Sequence, residues 1–240
     1  MFISIKGRTI IYSFAALLAV SIAAVCISVK EVHDNMDSAL PASAVESKTI
    51  LIDAGHGGFD AGASDNGISE KDINLNVAKN LKYLIEENGG KAAMTREDDV
   101  STADENRTDG SSAKKSDLRR RRAMIKESGA DMFVSVHMNK FPQREYWGAQ
   151  VFYASSPEGS KRLGECIQSA LARVLNDGNE RVSKKAESSI FILKNAEIPS
   201  VIVECGFLSN PQEAEKLKDE SYQKQLAQAI FEGICGFLNR

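Results

Sequence analysis

The runs "TILID" (residues 49–53) and "MFVSV" (132–136) constrain the fold most. Neither alternates polar with apolar residues, as a strand with one face in water does, so each calls for cover on both faces. Comparable short runs lie at 91–95, 149–153 and 200–203. Helical patterns fall between and after them. Ile73, Val77, Leu81, Leu84 and Ile85 recur at helical spacing and stop at Gly89-Gly90. Leu163, Ile167, Ala170, Leu171 and Val174 repeat the pattern, as do Leu226, Ala229, Ile230, Ile234 and Phe237. This alternation predicts an α/β domain with a mainly parallel sheet and helices on both sides. In such sheets the working site lies beyond the carboxyl ends of the strands.

Two of the chain's three histidines fall at that edge: His56 in "ILIDAGH" and His137 in "MFVSVH". The glycines around His56 permit a sharp backbone path into a cleft. Glu70 stands at the predicted start of the helix that returns from the first strand. Ser69 reads as its N-cap, with Asp72 completing a capping-box pattern. Two imidazoles and a carboxylate arriving from three segments suit a catalytic zinc site, which keeps one position open. Glu204, at the end of the strand in "IPSVIVECGF", supplies a carboxylate for proton transfer. His33 lies in a stretch without periodicity and reads as structurally neutral.

Other motifs fail. "HGGF" resembles an esterase oxyanion loop, but the chain contains no G-x-S-x-G elbow. "GHGGFD" carries Asp60 where a dinucleotide fingerprint has its last glycine. The run "KKSDLRRRRAMIK" reads as a solvated helix start with one arginine turned inward. Together with a net charge of -3, it gives no case for nucleic acid. The four cysteines do not suggest a disulfide framework: Cys26 lies in an apolar run, and Cys166, Cys205 and Cys235 read as small buried residues.

Residues 9–29 contain no charge and are long enough to cross a bilayer, with Lys6 and Arg8 before them. The small-residue "ASA" at 42–44 lies far beyond the apolar run for a cleavage site. The expectation is an uncleaved membrane anchor (1–30), a linker (31–48) and an extracytoplasmic catalytic domain (49–240).

In order and spacing, "LIDAGHGGFDAGA", "GISEKDINL", "TREDD", "DMFVSVHMN", "WGAQVFY" and "VIVECGFLSNPQEAEKL" resemble the zinc-dependent N-acetylmuramoyl-L-alanine amidases of the type 3 family. The resemblance covers the chain from about residue 49 onward. It implies an α/β fold with a central six-stranded sheet, and one zinc ion held by His56, Glu70 and His137. It further implies Glu204 as the catalytic carboxylate, and peptidoglycan as substrate, cut between muramic acid and L-alanine. A short anchor and a lone catalytic domain are most similar to the germination-specific amidases that act on spore cortex. The anchor, with that likeness, implies a place at the extracytoplasmic face of the cell membrane or in the forespore/mother-cell intermembrane space. The family resemblance, with the polar stretch at 100–116, implies an activating protein partner. Two departures stand out: a polar insertion at 100–116, and "NDGNERVSKKAESS" where the family often has an Asn-Arg-Gly stretch. The rival expectations are a zinc peptidase acting on wall peptides and a non-catalytic wall-binding protein.

Overall fold

The computed structural model describes residues 42–65, 67–106 and 111–239. Strand β1 (Thr49–Ala54) leads to a small hairpin, β2 (Ser64–Asp65) and β3 (Ile68–Ser69), and then to helix α1 (Glu70–Glu87). There follow β4 (Lys91–Met94), α2 (Ala113–Glu127), β5 (Met132–Asn139) and β6 (Gln150–Tyr153). Next come α3 (Gly159–Leu175), β7 (Lys184–Lys185), β8 (Ser200–Phe207), α4 (Pro211–Lys218) and α5 (Glu220–Leu238). The central sheet is six-stranded, in the order β4-β1-β5-β8-β6-β7. All its pairings are parallel except that of β6 with β8. The expected mainly parallel α/β sheet is therefore what forms.

Both faces are covered, as the continuous apolar runs required. Leu51, Phe133 and Ile202 point to one side, where they pack with Met124, Ile125, Ile192 and Leu193 from α2 and a short 3-10 turn. On the other side α5 packs on both α1 and α3. Gly233 of α5 lies so close to the Ile167 backbone of α3 that a Cβ there would collide with it. Val45, in a 3-10 turn before β1, is buried, so packing reaches into the stretch read as linker. Among the described residues no helix is long and apolar enough to cross a membrane, and residues 9–29 and Cys26 lie outside them.

Strands β5 and β8 run further than their apolar signal. The ladder continues through His137 opposite Glu204 and on to Asn139 opposite Phe207, across an irregularity in register. Backbone pairing persists where the side chains turn polar, so hydropathy alone ends these strands too early.

Two other expectations need correction. Ser69 occupies the N-cap position of α1, but its side chain makes no cap bond; its Oγ donates to Ala61 O at 3.2 Å. The first-turn amides are met instead by loop carbonyls, Glu70 N on Ala63 O and Lys71 N on Ala61 O. The stretch 100–116, whose low apolar content predicts a mobile loop, is tied down where it is described, at residues 100–106 and 111–116. Its last residues belong to α2, and Asp117 accepts from Thr102 N at 2.7 Å and from Ser101 Oγ at 3.0 Å.

The arginine run sits in the middle of α2 rather than at its start, and Arg121 is indeed turned inward. Its Nη1 meets Asp53 Oδ1 at 2.6 Å and its Nε meets Asp117 Oδ2 at 2.6 Å. Arg121 is 2% exposed and Asp53 1%. Ser135 Oγ and Thr95 Oγ1 also donate to Asp53, at 2.6 and 2.7 Å. Burial alone would raise the Asp53 carboxyl. The Arg121 charge, then that of His137, then the two hydroxyls outweigh it and bring the group down to about 2.

A folded value below the unfolded 3.8 means stability that is complete above about pH 4 and lost as pH falls toward 2, about 2 kcal/mol in all. Arg121→Met leaves that carboxylate buried without its cation. Urea unfolding at pH 7 should register a loss of about 3–5 kcal/mol. The gap to the wild type should narrow in acid, once the stranded carboxyl is neutral. A gap independent of pH would contradict the assignment.

Candidate metal centre

Beyond β1 the chain bends abruptly, and His56 adopts a left-handed backbone with φ of 61°. For a residue other than glycine this costs energy, about 1–3 kcal/mol, and must be over-determined by its surroundings. Here the carbonyls of three successive residues are gripped. Arg96 Nε donates to Ala54 O at 2.9 Å and its Nη2 to Gly55 O at 3.0 Å. Asn74 Nδ2 also donates to Gly55 O at 3.0 Å, and Arg121 Nη2 to His56 O at 2.6 Å. Bonds from charged donors contribute about 1.5–3 kcal/mol each, enough to offset the strain.

The held backbone aims the His56 ring. Its Nδ1 lies 2.9 Å from Asp60 Oδ2, which leaves Nε2 facing Glu70 Oε1 at 3.2 Å. Glu70 starts α1, and its carboxylate reaches back to the sheet edge. The same Oε1 lies 2.9 Å from His137 Nδ1 and accepts from Met138 N at 3.0 Å. Its Oε2 accepts from Ala63 N at 2.7 Å. The two imidazoles meet edge to face with centroids 4.9 Å apart. Gly55 makes room for this, since a Cβ there would run into the His137 ring.

Charge follows from this geometry. Burial would raise Glu70, but its bonds to His137 and His56 hold it far below the usual carboxylate range. Burial would lower His137, but the bond to Glu70 and its charge prevail and bring the imidazole up to about 9.

Glu204 stands opposite His137 in the β5–β8 register. Burial, opposed in part by the charge of His137, pushes its carboxyl up to about 7. Its Oε2 is buried and has no hydrogen-bond partner among the described residues.

The structure thus gathers all four residues singled out in the sequence, while His33 lies outside the described residues. One ligand atom from each of His56, Glu70 and His137 falls within 4.8 Å of the others. Two imidazoles and a carboxylate, with a second carboxylate left unpartnered beside them, are the donor chemistry of a catalytic zinc site. Sequence reasoning missed Asp53, Asp60, Asn74 and Arg96, which help aim these donors; it expected one inward arginine in the run at 119–122 but did not say which one or what it would bind. "TREDD" carried Arg96 in plain view, but nothing local marked it as buried.

Donors of this kind, gathered at the carboxyl edge of a mainly parallel sheet, form a candidate metal centre where open α/β proteins place their ligand sites. The chain belongs to the N-acetylmuramoyl-L-alanine amidase family (Amidase_3), which its residues 50–236 match. It is 37% identical over 206 residues to the germination-specific N-acetylmuramoyl-L-alanine amidase of Bacillus subtilis (strain 168), covering 85% of each protein. Its fold is similar to the CwlD amidase from Clostridioides difficile, solved in complex with the GerS lipoprotein. That match has a TM-score of 0.77 and 45% identity, over 80% of this chain and 99% of that one. An N-acetylmuramoyl-L-alanine amidase from Clostridium difficile 630 matches with a TM-score of 0.71 and 29% identity, over 81% of this chain and 98% of that one.

If Asp60 orients His56 for a metal, Asp60→Ala should weaken zinc affinity by about 10–100-fold. Competition with a chromogenic chelator measures it. Unchanged affinity would remove Asp60 from the site.

Proposed function

We propose that this chain is a zinc-dependent amidase that cleaves the amide between muramic acid and the L-alanine of the peptidoglycan stem peptide. The convergence of His56, Glu70 and His137 beside the unpartnered Glu204 carries the reading. His56 and His137 would hold the ion through ring nitrogens and Glu70 through a carboxylate oxygen. When bound, zinc supplies a Lewis acid for a carbonyl and lowers the pKa of water to about 7.

The remaining work falls to the chain. Asp60 keeps the His56 ring turned toward Glu70, and the carbonyl grip of Arg96, Asn74 and Arg121 holds the backbone beneath it. Glu204, with a carboxyl poised near neutrality, takes a proton from the attacking water at Oε2 and returns it to the departing nitrogen.

The biological setting is part of the same proposal. The B. subtilis relative is named for germination, which favours a role in modifying spore cortex. The uncharged run at 9–29 supports a membrane anchor that leaves the catalytic domain outside the cytoplasm. The C. difficile amidase is complexed with a lipoprotein, and a protein partner for this chain accords with that pairing.

Zinc content and turnover separate the roles. His56→Ala and His137→Ala should lose bound zinc by elemental analysis, together with activity. Glu204→Gln should keep its zinc and lose turnover by about two to four orders of magnitude. Mass spectrometry of digested peptidoglycan should find stem peptides with a free L-alanine amine. Full zinc in both histidine variants, or near-normal turnover in Glu204→Gln, would defeat the assignment.

A further inference from the structure

Past the metal centre, β5 and β8 carry the chain into a group of exposed rings that the proposed chemistry does not use. Phe141, Tyr146 and Trp147 are 45, 44 and 42% exposed. Phe141 lies 5.5 Å from Tyr146 and 5.8 Å from Phe207, and Tyr146 stacks on Phe207 at 6.2 Å. Arg181 covers the same Phe207 ring at 4.9 Å. Trp147 and Tyr146 line a cleft of about 420 Å³ with Glu145, Asn179, Glu180 and Arg181.

The loop that presents these rings is held firmly. Gly148 N donates to Glu213 Oε1 at 3.0 Å, and Phe207 N to the other oxygen of the same buried carboxylate at 2.7 Å. Trp147 O accepts from Arg181 Nε at 2.7 Å, and Tyr146 O from Asn210 Nδ2 at 3.3 Å. Phe141 N donates to Ser209 Oγ at 3.1 Å. The loop is thus tied at both ends and at the carbonyls of Tyr146 and Trp147, while the rings of Phe141, Tyr146 and Trp147 stay in solvent. A fixed apolar patch rimmed by polar groups marks a binding surface.

Continuity with the metal centre indicates the occupant. Phe207 is three residues beyond Glu204, and Asn139, which pairs with it, is two beyond His137. At about 3.3 Å per residue, the backbone of Asn139 and Phe207, on whose ring Phe141 and Tyr146 pack, lies about 7–10 Å along the strands from that of His137 and Glu204. A saccharide presents faces of C–H groups, which pack on the negative face of an aromatic ring, and a fringe of hydroxyls suited to Glu145, Glu180 and Arg181. We propose that Phe141, Tyr146 and Trp147 form a glycan subsite that stacks on sugar rings of the substrate strand and favours polymeric peptidoglycan over fragments. The proposal rests on the amidase reading for its substrate, but its binding test does not.

Trp147 is the chain's one tryptophan, so its emission reports on this surface directly. The zinc-loaded full-length protein is titrated with peptide-free strands of alternating N-acetylglucosamine and N-acetylmuramic acid. A saturable change in emission is expected, with affinity about tenfold weaker in Tyr146→Ala and in Phe141→Ala. Tyr146→Phe should retain the wild-type affinity. On intact peptidoglycan the alanine variants should raise KM by a similar factor, with kcat within about twofold. On N-acetylmuramoyl-L-alanyl-D-isoglutamine they should match the wild type.

Silent emission at millimolar strand, equal affinity in all variants, or equal losses on both substrates would overturn the subsite. So would emission that answers a partner protein and not glycan. Should one alanine variant melt early, the other decides. Saturable glycan binding without any amide hydrolysis would overturn the amidase reading and leave the subsite standing.

Discussion

One carboxylate organises the centre of this molecule. Glu70 Oε1 lies within hydrogen-bond reach of both His56 and His137, and Oε2 is tied to Ala63 N. Burying an ion is expensive unless it is fully bonded. Glu70 meets that condition only if three segments arrive together: the loop after β1, the start of α1 and the middle of β5. The site is therefore a consequence of the sheet order. β1, β5 and β8 are neighbours and parallel, so His56, His137 and Glu204 share one edge. α1 returns with Glu70 at its first turn.

A second layer keeps that edge in shape. The guanidiniums of Arg96 and Arg121, with the Asn74 amide, grip the carbonyls of residues 54 to 56, where the chain must leave the sheet in a left-handed conformation. Arg121 links this grip to Asp53 and Asp117, and so to α2 and the segment at Ser101 and Thr102. A disturbance in α2 would be felt at the backbone of His56. This gives the polar insertion a physical route to the candidate metal centre.

The parts of this arrangement legible in the sequence were those with a local signature. Unalternating apolar runs announced β1, β5 and β8, and helical periodicity announced α1, α3 and α5. Two histidines after such runs, with Glu70 and Glu204, were enough to nominate the site. The pairing of the supporting charges was not legible: one arginine of 119–122 was expected to turn inward, but its partner Asp53 is 68 residues away from Arg121 and only the closed fold joins them. Strand β7, two lysines long, has no apolar pattern at all. The capping box misled because loop carbonyls, Ala63 O and Ala61 O, already take the amides of Glu70 and Lys71, and the Ser69 hydroxyl turns to donate to Ala61 O. Helix α4 did carry a signal that went unread: Asn210 caps it and Pro211 occupies its first turn.

The central claim is that His56, Glu70 and His137 bind one ion while Glu204 stays off it. A crystal structure of the zinc-soaked protein, with anomalous differences recorded across the zinc absorption edge, tests this directly. The account predicts one peak per chain at about 2.0–2.2 Å from a nitrogen of each histidine and an oxygen of Glu70, with Glu204 unligated beside it. A peak bonded to Glu204 in place of Glu70, or bound zinc seated away from these residues, would contradict it.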